Sequence, residues 1–199
     1  MTRDELLKRY TDGKLYSSHA NLSGADLRYT NLPRAKFSGA NLRCVNLSHA
    51  NLSGSDFRCA DLCHANFSGS DLSHANFSGA DLSHANLRYT NLFLANLSGA
   101  ELSYANLYGA KYKDVVIKHV RVFTSLYRYQ VWAIIAEDNS EWIRLGCFFR
   151  KREEWNENFW NNNEEFKNDN SEDSNMRLAA FNFACKWIDE RKHTMEKTK

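Results

Sequence analysis

The chain lacks most of the features from which an activity is usually read. No run approaches the roughly 18 apolar residues that cross a bilayer, and the start, Met1-Thr2-Arg3-Asp4-Glu5-Leu6-Leu7, has no apolar signal-peptide core. Both absences point to a cytoplasmic address and no membrane attachment. An excess of one charge is also missing. Residues 1–119 carry 13 Lys/Arg against 10 Asp/Glu, and residues 120–199 carry 13 against 14, for a net +2. Neither half has the basic surplus of a non-specific nucleic-acid binder, so no direct nucleic-acid binding is expected. The five cysteines, at 44, 59, 63, 147 and 185, form no regular framework, which favours free thiols over disulfides. There is no Gly-x-Gly-x-x-Gly phosphate loop. Tryptophan is absent until position 132.

What is present is a period. From Ala20 to about Lys118 the chain repeats every five residues through about twenty units without insertion. The central residue is Leu or Phe at 22, 27, 32, 37 and every fifth position to Leu107; the residue two before it is Ala, Ser, Thr or Val. A period of five is neither 3.6 nor 2, which excludes both an amphipathic helix and a plain sheet strand over this length. Residues two apart in extended backbone point the same way, so one large and one small side chain face inward together. The two residues after the central one, often Ser-Gly, suit a turn. Repetition of an extended-plus-corner unit coils into a solenoid whose turns pair at about 4.8 Å.

Ala25-Asp26-Leu27, Ala60-Asp61-Leu62 and Ala80-Asp81-Leu82 carry the pattern of the pentapeptide repeat family, which this stretch resembles over about half the chain. The resemblance implies a mainly β fold: a right-handed quadrilateral β-helix with one pentapeptide per side, hence stacking of residues twenty apart. Phe37, Phe57 and Phe77 fall at that spacing and are expected to stack. About five coils and a length of roughly 24 Å follow from the sheet spacing.

The flanks differ from the repeat. Residues 3–10 read as a short helix capped by Thr2, with Asp4 and Glu5 at its start and Lys8 and Arg9 at its end, a lid on the first coil (residues 1–14) that stops at Gly13. Leu6, Leu7 and Tyr10 form its apolar face. The solenoid covers 15–119, with Tyr112 and Ile117 as the central residues of a last coil. Residues 120–191 hold all five tryptophans and read as a small α+β domain: strands at Tyr129–Ala136 and Trp142–Phe149 forming a hairpin, a helix from Glu153 to about Asn161 with Phe166 on its extended face, and a helix capped by Ser171 reaching Glu190. Met176, Ala180, Phe183 and Trp187 fall at helical spacing with Phe181, Cys185 and Ile188 beside them, a wide apolar arc that makes this the main packing helix, and residues 192–199 read as a disordered tail. Arg144-Leu145-Gly146-Cys147 and Glu153-Glu154-Trp155 are similar to segments in C-terminal regions attached to pentapeptide repeats; this resemblance implies no activity.

Candidate chemistry is sparse. The Asp/Asn ladder has no cleft, Cys44, His64 and His84 share a column on a flat wall that cannot converge on a metal, and no base is placed beside Cys147 or Cys185. No catalytic residue, metal or cofactor is therefore expected, and the chain is read as a non-enzymatic protein-binding or scaffold protein with an unidentified protein partner. Tyr29 and Tyr89, in one outer column with His49 between, Phe93, Tyr104, and Arg150 and Arg152 from the C-terminal domain are the candidate contacts, with Tyr108 adding apolar surface. The family resemblance implies an alternative, a DNA-mimicking modulator of gyrase or topoisomerase. Six Asp/Glu balanced by six Lys/Arg over residues 20–110 disfavour it, since Arg28, Arg43, Arg58 and Arg88 interrupt any acidic stripe. An enzyme with its site in residues 120–199 is the remaining alternative.

Overall fold

A small and a large inward residue two positions apart leave the intervening Asn or Asp pointing outward, and there successive turns of the chain join. The computed structural model describes residues 2–12, 17–123, 131–145, 148–158 and 172–197. In it each such outward residue makes a parallel bridge with the residue twenty positions on, from Asn21–Asn41 to Asn91–Lys111. Leu22 N–H donates to Asn41 O at 2.8 Å, and Asn41 N–H to Ala20 O at 2.9 Å. The product is a β-helix, and the described protein is mainly β with a few helices. The chain divides into two compact units, Met1–Ile117 and Lys118–Lys199.

Corners make the β-helix possible. Ala25 N–H donates to Leu22 O at 3.0 Å, closing a turn over Ser23 and Gly24. All nineteen second-after-centre positions from His19 to Gly109 have φ between +54° and +72°, although only seven are glycine. A positive φ at the third residue defines a type II turn, and proline suits its second residue; the single proline, Pro33, stands there. The outward Asn or Asp tightens each turn by accepting the N–H two residues on, as Asp71 Oδ1 does from Ser73 at 3.0 Å. Amide side chains also bond up the column, Asn66 to Asn46 and Asn86 to Asn66.

Every central residue from Leu22 to Leu107 is at most 2% exposed. Phe37, Phe57 and Phe77 stack at 5.3 and 4.9 Å between centroids, and Phe67 meets the latter two edge-on. Hydroxyls at small inward positions are satisfied by main chain: Thr30 Oγ1 donates to Leu27 O and Thr90 Oγ1 to Leu87 O, each at 2.7 Å.

The first helix, α1 (Arg3–Thr11), starts on a capping box in which Thr2 and Glu5 bond each other's main chain. It buries Leu6, and Tyr10 Oη donates to Pro33 O at 2.7 Å. Gly13 lies outside the described residues. At the other end the expected last coil is corrected. Strand β1 (Lys111–Tyr112) pairs antiparallel with β2 (Val115–Phe123), Tyr112 opposite Val115, so the chain reverses over Lys113-Asp114 instead of turning another corner. Tyr112 and Ile117 are still buried. The β-branched run Val115-Val116-Ile117 favours a continuous strand over a corner.

In the second unit β3 (Val131–Ala136), β4 (Glu141–Leu145) and β5 (Phe148–Lys151) form an antiparallel meander. The single strand expected over Trp142–Phe149 is thus two: Leu145 pairs with Phe148, so the chain reverses between them. Gly146 and Cys147 lie outside the described residues. Helix α2 (Arg152–Asn158) follows directly, and its Trp155 Nε1 donates to Ile143 O at 2.9 Å. Trp160, Phe166 and the Ser171 cap lie outside the described residues. Helix α3 (Glu172–Lys197) continues through the first six residues of the expected tail. Its buried stripe is Ala180, Phe181, Ala184 and Ile188, packed on Val131, Ala133, Ile135, Ile143, Leu145 and Trp155. The buried part of the expected arc is its Phe181 and Ile188 side; on the other side Phe183 is 54% and Met176 41% exposed.

Candidate interaction surface

The left-handed corner residues throw their side chains outward, and twenty-residue stacking sorts them into columns. Tyr104 is 83% exposed and stacks on His84 at 4.9 Å; His84 stacks on His64 at 4.7 Å. The His64/His84 column is as expected; that Tyr104 completes it was a further step of twenty that the sequence reading omitted. Tyr29, 72% exposed, stacks on His49 at 5.1 Å. Tyr89 shares their column but does not join that stack, because Gly69 intervenes. Rings use such glycines as seats. A Cβ on Gly69 would stand 2.7 Å from His49 Nδ1, and one on Gly109 only 2.3 Å from Tyr89 Cδ1.

Around Tyr89 the column becomes a cluster. Tyr108 meets Tyr89 edge-on at 5.6 Å, and the Arg88 guanidinium lies 5.4 Å from the Tyr89 centroid and 5.1 Å from that of Tyr108. Along the neighbouring pentapeptides, Phe93 packs edge-on against His74, and Lys111 Nζ lies 5.6 Å over its ring. Leu94 beside them is 57% exposed. Spacing alone presents Arg88 as an interruption of an acidic stripe; its place against two rings depends on rotamers.

Three of the four other repeat arginines are ion-paired. Arg28 pairs with Asp26 at 2.7 Å, Arg58 with Asp56 at 2.8 Å and Arg43 with Asp61 at 3.3 Å. The Arg28 hydrogen bonds hold the Asp26 carboxyl at about 2, and those of Arg58 hold Asp56 below the usual carboxylate range.

In the second unit the candidate basic residues are placed differently. Arg150 lies over Trp155, 5.4 Å from its centroid. Arg152 is engaged within its own unit. Its guanidinium is forked onto Asp189 at 2.6 and 3.0 Å and also donates to Glu141 at 2.9 Å, while Lys192 bonds the other Glu141 oxygen. The network ties β4, α2 and α3, which leaves Arg152 committed. The Asp189 hydrogen bond raises Arg152 further above its ordinary value and lowers Asp189. Burial pushes Glu141 up, but the Lys192 and Arg152 hydrogen bonds outweigh it and its carboxyl is lowered. Trp132 and Trp155 are fully buried, part of the core and not of a surface.

Among the described residues no group of three or more His, Cys, Asp or Glu converges as a metal site. Cys44, Cys59, Cys63 and Cys185 are unpaired; burial raises the Cys185 thiol, away from the thiolate a nucleophile needs. No described helix is long and apolar enough to cross a membrane.

The model of a family described as pentapeptide repeats matches eight copies, over residues 20–58, 55–92 and 75–111. No curated protein matches the sequence. Among solved structures, a trypsin-treated form of QnrB1, a plasmid-mediated fluoroquinolone resistance protein, is 29% identical over 47% of this chain and 48% of its own, with a TM-score of 0.43. The chain thus spans about half the length of that form of QnrB1. Rfr23, a pentapeptide repeat protein from the cyanobacterium Cyanothece 51142, is 27% identical over 57% of this chain and 97% of its own, with a TM-score of 0.32. The pentapeptide repeat protein alr5209 from Nostoc PCC 7120 is 30% identical over 56% and 96%, with a TM-score of 0.28. With its unbroken five-residue period, bridges twenty residues apart and repeat matches from 20 to 111, the chain belongs to the pentapeptide repeat family.

Proposed function

We propose that the protein is a non-enzymatic binding scaffold, and that a protein partner is engaged by surface rings of the β-helix, the exposed Tyr29, Tyr89 and Tyr104 and the half-buried Phe93. The observation that carries the reading is the fixing of large exposed rings on a hydrogen-bonded framework, by stacking at 4.7–5.1 Å and by glycine seats. Rings held in place before contact lose little freedom on binding, and tyrosine is a preferred interface anchor. The twenty-residue register supports four pentapeptides per coil, and we take the β-helix as right-handed and four-sided, with about five coils. A cytoplasmic location fits the free thiols.

The DNA-mimic alternative needs a continuous acidic face. Here Asp26, Asp56 and Asp61 are neutralised by Arg28, Arg58 and Arg43, which favours the scaffold reading. The test is capture from native lysate by the full-length protein and by a variant carrying Tyr29→Ala, Tyr89→Ala, Phe93→Ala and Tyr104→Ala, after circular dichroism shows equal folding. A protein retained by the first and lost by the second is expected. Equal retention by both overturns the reading, and retention of a topoisomerase by both returns the mimic.

A further inference from the structure

We propose that Arg88, Tyr89 and Tyr108, with Phe93 and Lys111, form a docking surface for an acidic segment of a protein partner; the proposal rests on the scaffold reading and adds the partner's chemistry. The observation is two cations laid on aromatic rings without a carboxylate. Among the described residues, Arg28, Arg43 and Arg58 have acid partners, whereas none lies within ion-pair distance of Arg88 or Lys111. The columns explain why. The outward ladder beside Arg88 runs Asp26, Asn46, Asn66, Asn86, Asn106, so its one acid is far below and already paired with Arg28. The ladder ending in Lys111 holds one acid, Asp71, separated from it by Asn91, whose amide donates to Asp71 at 3.0 Å.

The Arg88 guanidinium lies against two rings and gives one N–H to Tyr89 Oη at 3.5 Å; its other N–H groups match a carboxylate in two-pronged geometry. The rings beside it are held: Tyr89 lies on Gly109 so closely that no Cβ fits, and Tyr108 closes its edge. Two cations decide the class of partner. Nucleic-acid binders commonly neutralise about 6–10 phosphates, far more than this cluster offers, whereas a short acidic segment with an apolar side chain needs two cations and a ring wall.

Fluorescence anisotropy on the full-length protein tests this with three labelled probes: a short Glu/Asp peptide carrying one aromatic residue, its Lys/Arg counterpart, and a single-stranded oligonucleotide. The acidic peptide alone is expected to bind, more weakly as salt rises. Arg88→Gln and Tyr89→Ala should each weaken it about ten-fold or more, and Arg28→Gln, at a cation already paired with Asp26, should leave it unchanged. Arg88→Gln retains the turn, because the bond to Asn86 Oδ1 comes from main-chain N–H. No binding of the acidic peptide, unchanged affinity in both variants, or equal binding of the oligonucleotide overturns the proposal. If lysate capture still depends on the four rings, those results sink the acidic partner and leave the scaffold reading intact.

Discussion

A five-residue repeat asks two different things of its residues, and substitutions separate them. Ala60 is 1% exposed and faces the next coil's main chain, so Ala60→Leu adds three carbons where nothing can withdraw. Overpacking costs about 1–3 kcal/mol, and a core this narrow should sit at the upper end or fail to fold. Ser68, outward on its corner, should accept Leu almost neutrally; equal melting shifts in the two variants would contradict the inside/outside assignment. Glycines offer a sharper pair. Gly24 (φ +68°) has nothing within 4 Å of a Cβ, whereas one on Gly109 (φ +72°) meets the Tyr89 ring at 2.3 Å. Both Ala variants carry the left-handed strain, about 1 kcal/mol, but twelve corners already tolerate side chains there. Gly109→Ala should therefore melt clearly lower than Gly24→Ala and shift the Tyr89 ring signals in NMR spectra. Indistinguishable variants would mean that the ring is not seated on the glycine.

Among the elements, α1 is the one whose role can be removed cleanly. It buries Leu6 and reaches Pro33 through Tyr10, at the first corners of the β-helix. Deleting residues 1–12 should uncover backbone groups able to pair with another chain, so a larger species is expected in size-exclusion chromatography. An unchanged elution and melting curve would show that α1 covers nothing. This helix was legible because its signals are local: Thr2 and Glu5 three apart, acids before bases. The β-helix was legible because its period is the structure; stacking of Phe37 on Phe57 follows from the number twenty. What was not legible depended on partners distant in sequence. Arg150-Lys151-Arg152 looks like a solvated run until Asp189, thirty-seven residues away, takes Arg152. The stripe of α3 could be drawn through Phe183 or Phe181, and the sheet beneath selects Phe181. Arg88 stood in the right column, but its seat against Tyr89 and Tyr108 is a matter of neighbouring columns and side-chain torsions.

At the scale of the whole molecule, acid should act on the two units unequally, and the chain supplies its own probe. Every tryptophan lies at 132 or beyond, so tryptophan fluorescence reports only the unit from Lys118 to Lys199, while the NMR signals of the stacked Phe37, Phe57 and Phe77 rings report the β-helix. In the second unit Asp189 is lowered by its hydrogen bond to Arg152, and Glu141 is lowered by Lys192 and Arg152 against the opposing effect of burial. A carboxyl with a depressed folded value contributes stability that is present above its ordinary value, 3.8 for Asp189 and 4.5 for Glu141, and that is lost as pH falls through the folded value. His119 is lowered by burial and by Arg191 and Lys118. The unfolded chain therefore takes up its proton first, and stability declines as pH falls from 6.5 toward the folded value. The fluorescence midpoint should thus drop in two stages between pH 7 and 3, the second beginning near 4.5. Arg152→Gln should cost roughly 1–3 kcal/mol at pH 7 and flatten that second stage, because the carboxyls it leaves behind are no longer depressed by it. The transition read from the phenylalanine ring signals should not move with Arg152→Gln. If both probes shift together, or if the acid limb keeps its slope in the variant, the Glu141–Arg152–Asp189 network is not what holds the second unit together in acid.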